Sequence, residues 1–355
     1  MSILDRYLGL AVLGGTLIAL LVLMALASFF AFVGEIGDIG KGTYGLQDAL
    51  LYTLYTLPRR AYEMFPMAAL LGSLLGLGSL ASNSELVVIR AIGFSVGRIV
   101  RSAALAGLVI MVVAATVGEW VAPPGEQAAE NIRNEALSDT ISFRGRLGYW
   151  VRDGRDFINI REIAGRREIR GVTIYRFGDG HRLDTLVEAE RGVHDPDLGW
   201  TLYGATEHLI SEEGVLSRSR ESVKWSSHLM PEMINVAVIK PETLAAWDLL
   251  VFVRYMEENG LDGSRYELAY WKKLVSPLVT VVMVLLSIPF VFGSLRDSGT
   301  GQRVLVGILV GIGFHVVNLT LSHLGLLYGV PPLLSAITPP LMFFGLALWA
   351  IGRVR

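Results

Sequence analysis

Residues 82–97 read Ser-Asn-Ser-Glu-Leu-Val-Val-Ile-Arg-Ala-Ile-Gly-Phe-Ser-Val-Gly, and how this stretch is read decides the fold. It is short, of mixed polarity, and lies between two long apolar runs, Met64 to Ser84 and Ser102 to Gly118. Ser82, Asn83 or Ser84 can cap a helix, and Glu85, three residues after Ser82, has the spacing of a capping box. Leu86, Val87, Ile89 and Ile92 then supply apolar side chains, with Arg90 among them. A polar-capped amphipathic helix this short cannot cross a bilayer. It must lie on a membrane face or on a partner protein. The expectation is a helix over 82–97 through which a partner moves the flanking spans.

Working outward, uncharged runs cover Leu8–Gly34, Met64–Ser84, Ser102–Gly118, Leu274–Leu295 and Val304–Gly352. A span needs roughly 20 residues. The last run is too long for one span and is broken at Tyr328-Gly329-Val330-Pro331-Pro332. Six transmembrane helices result, grouped as three plus three. The first run outlasts the core of a signal peptide, which predicts an uncleaved span. Orientation follows from the short connections. Arg6, Arg90, Arg98, Arg101, Arg296, Arg303, Arg353 and Arg355 share one side, whereas the loop 35–63 holds only Lys41, Arg59 and Arg60 against four acids. This predicts cytoplasmic termini and a cytoplasmic 82–97 segment.

Between the third and fourth spans, residues 119–273 hold most of the charged side chains. Short alternating pieces recur there, such as Tyr149-Trp150-Val151, Phe157-Ile158-Asn159-Ile160, Val172-Thr173-Ile174-Tyr175 and Trp200-Thr201-Leu202-Tyr203. Turn signals such as Asp153-Gly154 and Gly178-Asp179-Gly180 separate them. Regular short strands with turn punctuation suggest a sandwich, barrel or jelly roll, so the expected fold class is an α-helical membrane protein with six transmembrane helices and an inserted all-β domain on the outer side. Helices over Gly125–Leu137 and Pro241–Asn259 should flank the insert, the second with Leu244, Trp247, Leu250, Val251 and Tyr255 on one face. The expected division is 1–122 for the first three spans, 123–265 for the insert with its flanking helices, and 266–355 for the last three spans.

Composition narrows the function classes. The chain has 355 residues, 52% of them hydrophobic, no cysteine and a net charge of −2. That leaves no case for nucleic acid, no disulfide framework and no thiol nucleophile. Gly37-Asp38-Ile39-Gly40-Lys41-Gly42-Thr43 lacks the spacing of a phosphate loop. The chain then hydrolyses no nucleotide, and energy must come from a partner. His181, His194, His208 and His228 show no metal-ligand spacing, so no metal site is expected. His315, with His323 and Asn318 nearby, sits at membrane depth; either a packing hydrogen bond or the lining of a transport path accounts for it. Nothing resembles a nucleophile elbow or a paired-carboxylate site, so a transport subunit is expected rather than an enzyme.

Several segments carry a family resemblance: Phe65-Pro66-Met67-Ala68-Ala69-Leu70-Leu71-Gly72, Ser84-Glu85-Leu86-Val87-Val88, Gly118-Glu119-Trp120-Val121-Ala122-Pro123, Phe292-Gly293-Ser294-Leu295-Arg296 and Tyr328-Gly329-Val330-Pro331-Pro332. Together with Leu4-Asp5-Arg6-Tyr7 they resemble the lipopolysaccharide-export permease family LptF/LptG over essentially the whole chain. The second and third segments are more similar to LptG than to LptF. The resemblance implies a Gram-negative inner-membrane ABC transporter permease with a periplasmic β-jelly-roll. It implies pairing with an LptF-like permease on an LptB ATPase dimer, with the single-span LptC helix beside the first span. No cofactor is implied in this chain; ATP and Mg are used by the ATPase. The complex would extract lipopolysaccharide from the inner membrane and pass it to a periplasmic bridge through LptC and LptA, which makes it a machine of outer-membrane biogenesis.

On that footing the coupling residues are Ser84, Glu85, Leu86, Ile89 and Arg90. Glu85 would pair with a base of the ATPase while Leu86 and Ile89 pack into its groove; alternatively Glu85 only caps its own helix. The substrate set is Lys41, Arg59, Arg133, Phe65, Phe314 and His315, the cations for phosphates and the two phenylalanines for acyl chains. Arg133 stands where the family pattern has an arginine. Family lysines near the outer end of the first span are missing, since Ala31, Glu35, Gly37 and Asp38 stand there and only Lys41 remains. Alternatives are an LptF-like paralogue, another extrusion permease such as one for lipoproteins, or a non-transporting scaffold whose β domain docks periplasmic partners.

Overall fold

Ser2 opens the first helix with the side-chain cap that sequence patterning places at Ser82. In the computed structural model its hydroxyl accepts from the Asp5 N–H at 3.2 Å, and its own N–H donates to Asp5 Oδ2 at 2.7 Å. The structure describes residues 2–141, 149–153, 156–164, 168–178, 182–195, 199–211, 214–225, 241–293 and 299–353. Helices α1 (Ile3–Ile36), α2 (Leu46–Tyr55), α3 (Leu57–Ser82), α4 (Glu85–Ala91) and α5 (Val96–Thr116) come first. A π-helical turn, Val117–Val121, joins α5 to α6 (Ala122–Ile141). The expected boundary at 122–123 therefore falls inside a continuous helical run. Six strands follow, β1 (Tyr149–Asp153), β2 (Asp156–Ile163), β3 (Glu168–Phe177), β4 (Leu183–Asp195), β5 (Gly199–Ser211) and β6 (Gly214–Trp225). A short 3₁₀ turn at Pro241–Thr243 precedes α7 (Ala246–Glu258), α8 (Ser264–Phe292), α9 (Thr300–Leu327) and α10 (Pro332–Gly352).

Among the described residues, six helical runs are long and apolar enough to cross a membrane: α1, α3, the run from α5 into α6, α8, α9 and α10. With the inserted sheet, they make this a helical membrane protein with an all-β insertion. Helices α3 and α8 form the buried centre of the bundle, with α1, α5, α9 and α10 packed around them. Lipid tails are as apolar as leucine, so helices in a bilayer gain chiefly from close packing. Small residues supply it here. A Cβ on Gly72 would lie 2.2 Å from the Thr16 backbone, and one on Gly76 2.2 Å from the Ala11 carbonyl, so α1 and α3 touch backbone to backbone. Gly307 and Gly311 let the Leu71 and Met67 side chains of α3 lie against the α9 backbone.

The sheet is a single antiparallel meander in the order β1 to β6. The period-2 alternation buries Ile158 and Ile160 of β2, Val172 and Ile174 of β3, and Val187 and Ala189 of β4. It slips at Gly171 (φ +61°) and Gly204 (φ +60°), where the next inward residue comes after three positions rather than two. Those backbones enter a region that only glycine adopts cheaply. The inner face is closed by α7 and the start of α8, whose Phe252, Tyr255, Met256 and Tyr266 join the sheet core. This corrects the expected face of α7. Its buried stripe is Leu249, Phe252, Val253 and Tyr255, whereas Trp247 and Val251 are exposed.

Candidate functional site

The segment 82–97 is not one helix. Helix α3 runs on through Ser82, and α4 occupies only Glu85–Ala91. Ser84 stands between them with φ 62° and ψ 6°, and its side chain makes no cap hydrogen bond. The Glu85 carboxylate instead accepts from the Tyr7 hydroxyl of α1 at 2.7 Å. The capping alternative for Glu85 therefore gives way to a tie between α4 and α1. Leu86 and Ile89 are buried at 3% and 5% in the bundle's own core, so they are not available to fill a partner's groove. The reason is helical periodicity: turning those two inward leaves Val87, Val88 and Ile92 outward, and these three are exposed. Arg90 is exposed as well. Beside this tie, Asp5 pairs with Arg98 of α5 at 3.4 Å and accepts from the Ser102 hydroxyl at 2.9 Å. The N-terminal end of α1 is thus fixed to α4 and α5 at once.

At the other end of α1, two of the expected cations meet. Arg133 of α6 lies 3.4 Å from Glu35, 2.5 Å from Asp38 and over the Tyr52 ring at 5.4 Å. Lys41 pairs with the second oxygen of Asp38 at 2.6 Å. The Lys41 hydrogen bond, helped by the charges of Lys41 and Arg133, holds the Asp38 carboxyl below the usual range, although burial works the other way. Burial, then the hydrogen bond to Glu35 at 3.0 Å, raises the Tyr44 phenol well above its ordinary value. Thr43 donates its N–H to the Ala136 carbonyl at 2.8 Å, so the loop after α1 is clasped to α6. Arg59 lies apart from this group, held by Glu63 at 3.0 Å and by the buried Glu126 at 2.7 Å.

The remaining candidates scatter. Phe65 is 5% exposed inside the bundle, and Phe314 packs edge-on against Phe343 with centroids 5.1 Å apart. Both present almost no surface to a ligand, which favours packing over acyl-chain contact. His315 is exposed on α9. The inward stripe of α9 is Arg303, Gly307, Gly311 and Phe314, and the next residue along falls off it. His323 is exposed too, with Nδ1 2.8 Å from the Leu319 carbonyl. Among the described residues no group of three or more His, Asp or Glu side chains could hold a metal ion.

Sequence reading missed a junction built on Glu119, in the π turn. Both its carboxylate oxygens accept the Ala246 N–H at the start of α7, each at 3.0 Å. Lys273 of α8 lies 3.8 Å from the same carboxylate and donates to the Leu244 carbonyl. The Tyr62 hydroxyl of α3 donates to the Lys273 carbonyl at 3.0 Å. A Cβ on Gly118 would strike the Tyr62 ring at 2.4 Å, so the turn needs glycine there. Only the Gly-Glu-Trp motif marks the place in sequence. Its partners Ala246 and Lys273 lie 127 and 154 residues along the chain and leave no local pattern.

A protein-family model described as "Lipopolysaccharide export system permease LptF/LptG" matches residues 6–353. The chain is similar to the lipopolysaccharide export system permease protein LptG of Escherichia coli strain K12, at 35% identity over 354 residues, covering 99% of this chain and 98% of that one. It is also similar to the protein of the same name from Haemophilus influenzae, at 34% identity over 353 residues and 99% of each chain.

Proposed function

The chain belongs to the LptF/LptG family of lipopolysaccharide export permeases, and from that premise we propose how this subunit is oriented, powered and partnered. It is a multi-pass inner-membrane protein and a lipopolysaccharide export permease subunit, a transport component rather than a catalyst. The observation that carries the proposal is the match of the whole chain, spans and insertion together, to LptG proteins.

The termini and α4 face the cytoplasm and the sheet faces the periplasm. The eight arginines of the N-terminus, the 85–101 and 296–303 segments and the C-terminus support this. An LptB-type ATPase dimer, using ATP and Mg, acts on the α4 side. An LptF-like chain completes the permease, LptC supplies a helix beside α1, and LptA receives the lipid. Moving acyl chains out of a bilayer costs roughly 0.8 kcal/mol per CH₂, which requires such an energy source.

Contact with the ATPase falls on the exposed Val87, Val88, Arg90 and Ile92 side of α4. Glu85, linked to Tyr7, carries the displacement of α4 into α1. The experiment is Glu85→Lys in the assembled transporter, measuring lipopolysaccharide released on ATP addition. The proposal expects a loss of about tenfold, the worth of one charge-assisted hydrogen bond, and less loss for Tyr7→Phe, which leaves the carboxylate in place. Wild-type release from Glu85→Lys would sink the coupling role.

Of the basic candidates, Lys41, Arg59 and Arg133 each already hold a carboxylate, so a lipid phosphate reaching them must displace one. Phosphate recognition in this transporter therefore draws on cations of the partner permease.

A further inference from the structure

Helix α7 has no cap of its own. Its N-cap residue is Ala245, which has no side-chain acceptor, and its first acidic side chain is Asp248. The free N–H of Ala246 is taken by Glu119, which belongs to the third span. A carboxylate at a helix N-terminus meets both unpaired donors and the positive end of the helix dipole. Caps are ordinarily local, supplied by the residue that starts the helix. Here the cap comes from a π turn, a feature frequent at functional sites. The far side of α7 closes the core of the sheet through Phe252 and Tyr255. Lys273 completes the joint by pairing with Glu119 while gripping the Leu244 carbonyl just before α7. Through Tyr62 the joint also reaches α3. Three spans therefore converge on the start of a helix that helps close the β domain.

We propose that Glu119 is a positioning residue for export: by holding the N-terminus of α7 it makes the β domain follow movement of the spans, so that the lipid-accepting sheet stays in register with the bundle. This rests on the export reading above. The single contact serves both as cap and as link, and the two roles separate by substitution. Glu119→Ala removes cap and link together. Ala245→Ser, added to Glu119→Ala, returns a local cap without restoring the link to the π turn.

The test uses the full chain assembled with its ATPase and partner permease in proteoliposomes loaded with lipopolysaccharide. Two quantities are read: lipid released per ATP hydrolysed, and amide exchange at residues 246–249. Glu119→Ala should speed exchange at the start of α7 and lower release per ATP by about tenfold, the worth of a charge-assisted hydrogen bond. Glu119→Ala with Ala245→Ser should recover slow exchange yet keep the low release. Recovery of both would show Glu119 to be a cap only and overturn the proposal, as would wild-type release from Glu119→Ala with α7 frayed. If the alanine variant does not assemble, Glu119→Met, which removes both acceptor oxygens while keeping the side chain's bulk, takes its place in the same comparison. A wild-type complex that releases no lipid on ATP overturns the export reading itself, and the proposal with it, which is a different result from either of the others.

Discussion

Ser84 holds the one positive φ among the non-glycine residues described, 62°. An L-residue in that region carries about 1–2 kcal/mol of strain. The bend it makes lets α3 end at Ser82 and α4 begin at Glu85, and turns Leu86 and Ile89 into the bundle. Ser84→Gly should leave the bend and raise thermal stability by about 0.5–1 kcal/mol, whereas Ser84→Val should lower the melting temperature of the purified protein. A drop with glycine would mean the serine hydroxyl holds the bend. At the other end of α1, Asp38 makes a pH prediction. Its carboxyl is lowered in the folded protein, chiefly by Lys41. The clasp is therefore fully present above the unfolded carboxylate pKa of about 3.9 and is lost as pH falls through the lower folded value. Amide exchange in residues 38–44 should quicken in acid, and Asp38→Asn should show at neutral pH the exchange that the wild type shows only in acid. Equal exchange in the variant and the wild type at neutral pH would contradict the clasp.

Among elements, the contact of α1 with α3 makes the sharpest claim. The Cβ that Gly72 lacks would lie 2.2 Å from the Thr16 Cα and N, both main-chain atoms that cannot swing aside. Gly72→Leu should destabilise the bundle by about 3 kcal/mol, the upper range for overpacking. Gly34→Ala, where nothing lies within 4 Å, should stay within about 0.5 kcal/mol. Thermal unfolding in detergent separates the two, and equal melting temperatures would refute the close crossing. The same elements show what sequence can carry. The six spans were readable because apolar length is a local property. Strands β1, β2, β3 and β5 were readable by alternation and turns. Strand β4 was missed because Asp184, Glu188 and Glu190 on its outer face dilute its apolar signal. Strand β6 was missed because its side chains are exposed on both faces from Gly214 to Ser222. On α7 the apolar residues surround the helix, so counting could not tell Phe252, under the sheet, from Trp247, in the open. Glu85 stands out in the sequence by its place between two apolar runs, whereas its partner Tyr7, 78 positions away, leaves no local sign of the pairing. The acidic partners of Arg133 were visible as departures from the family's lysines, but their pairing with it required the fold.

At the scale of the molecule, two devices of opposite character among the described residues join the bundle and the sheet. One is apolar, the seating of Phe252, Tyr255 and Tyr266 in the sheet core. The other is polar and directional, the carboxylate of Glu119 on the start of α7. At the opposite end, Tyr7, Glu85, Asp5 and Arg98 tie α1 to α4 and α5. A push on α4 therefore has a packed route through α1 and α3 to the junction at Tyr62 and Lys273. The central claim is that this chain serves lipopolysaccharide export. The most direct measurement is transfer of lipopolysaccharide from proteoliposomes holding this chain, its partner permease and the ATPase to a soluble periplasmic acceptor, followed by photocrosslinking. Transfer should require ATP and should vanish when this chain is left out. Transfer that proceeds equally without the chain, or none with all components and ATP present, would contradict the claim.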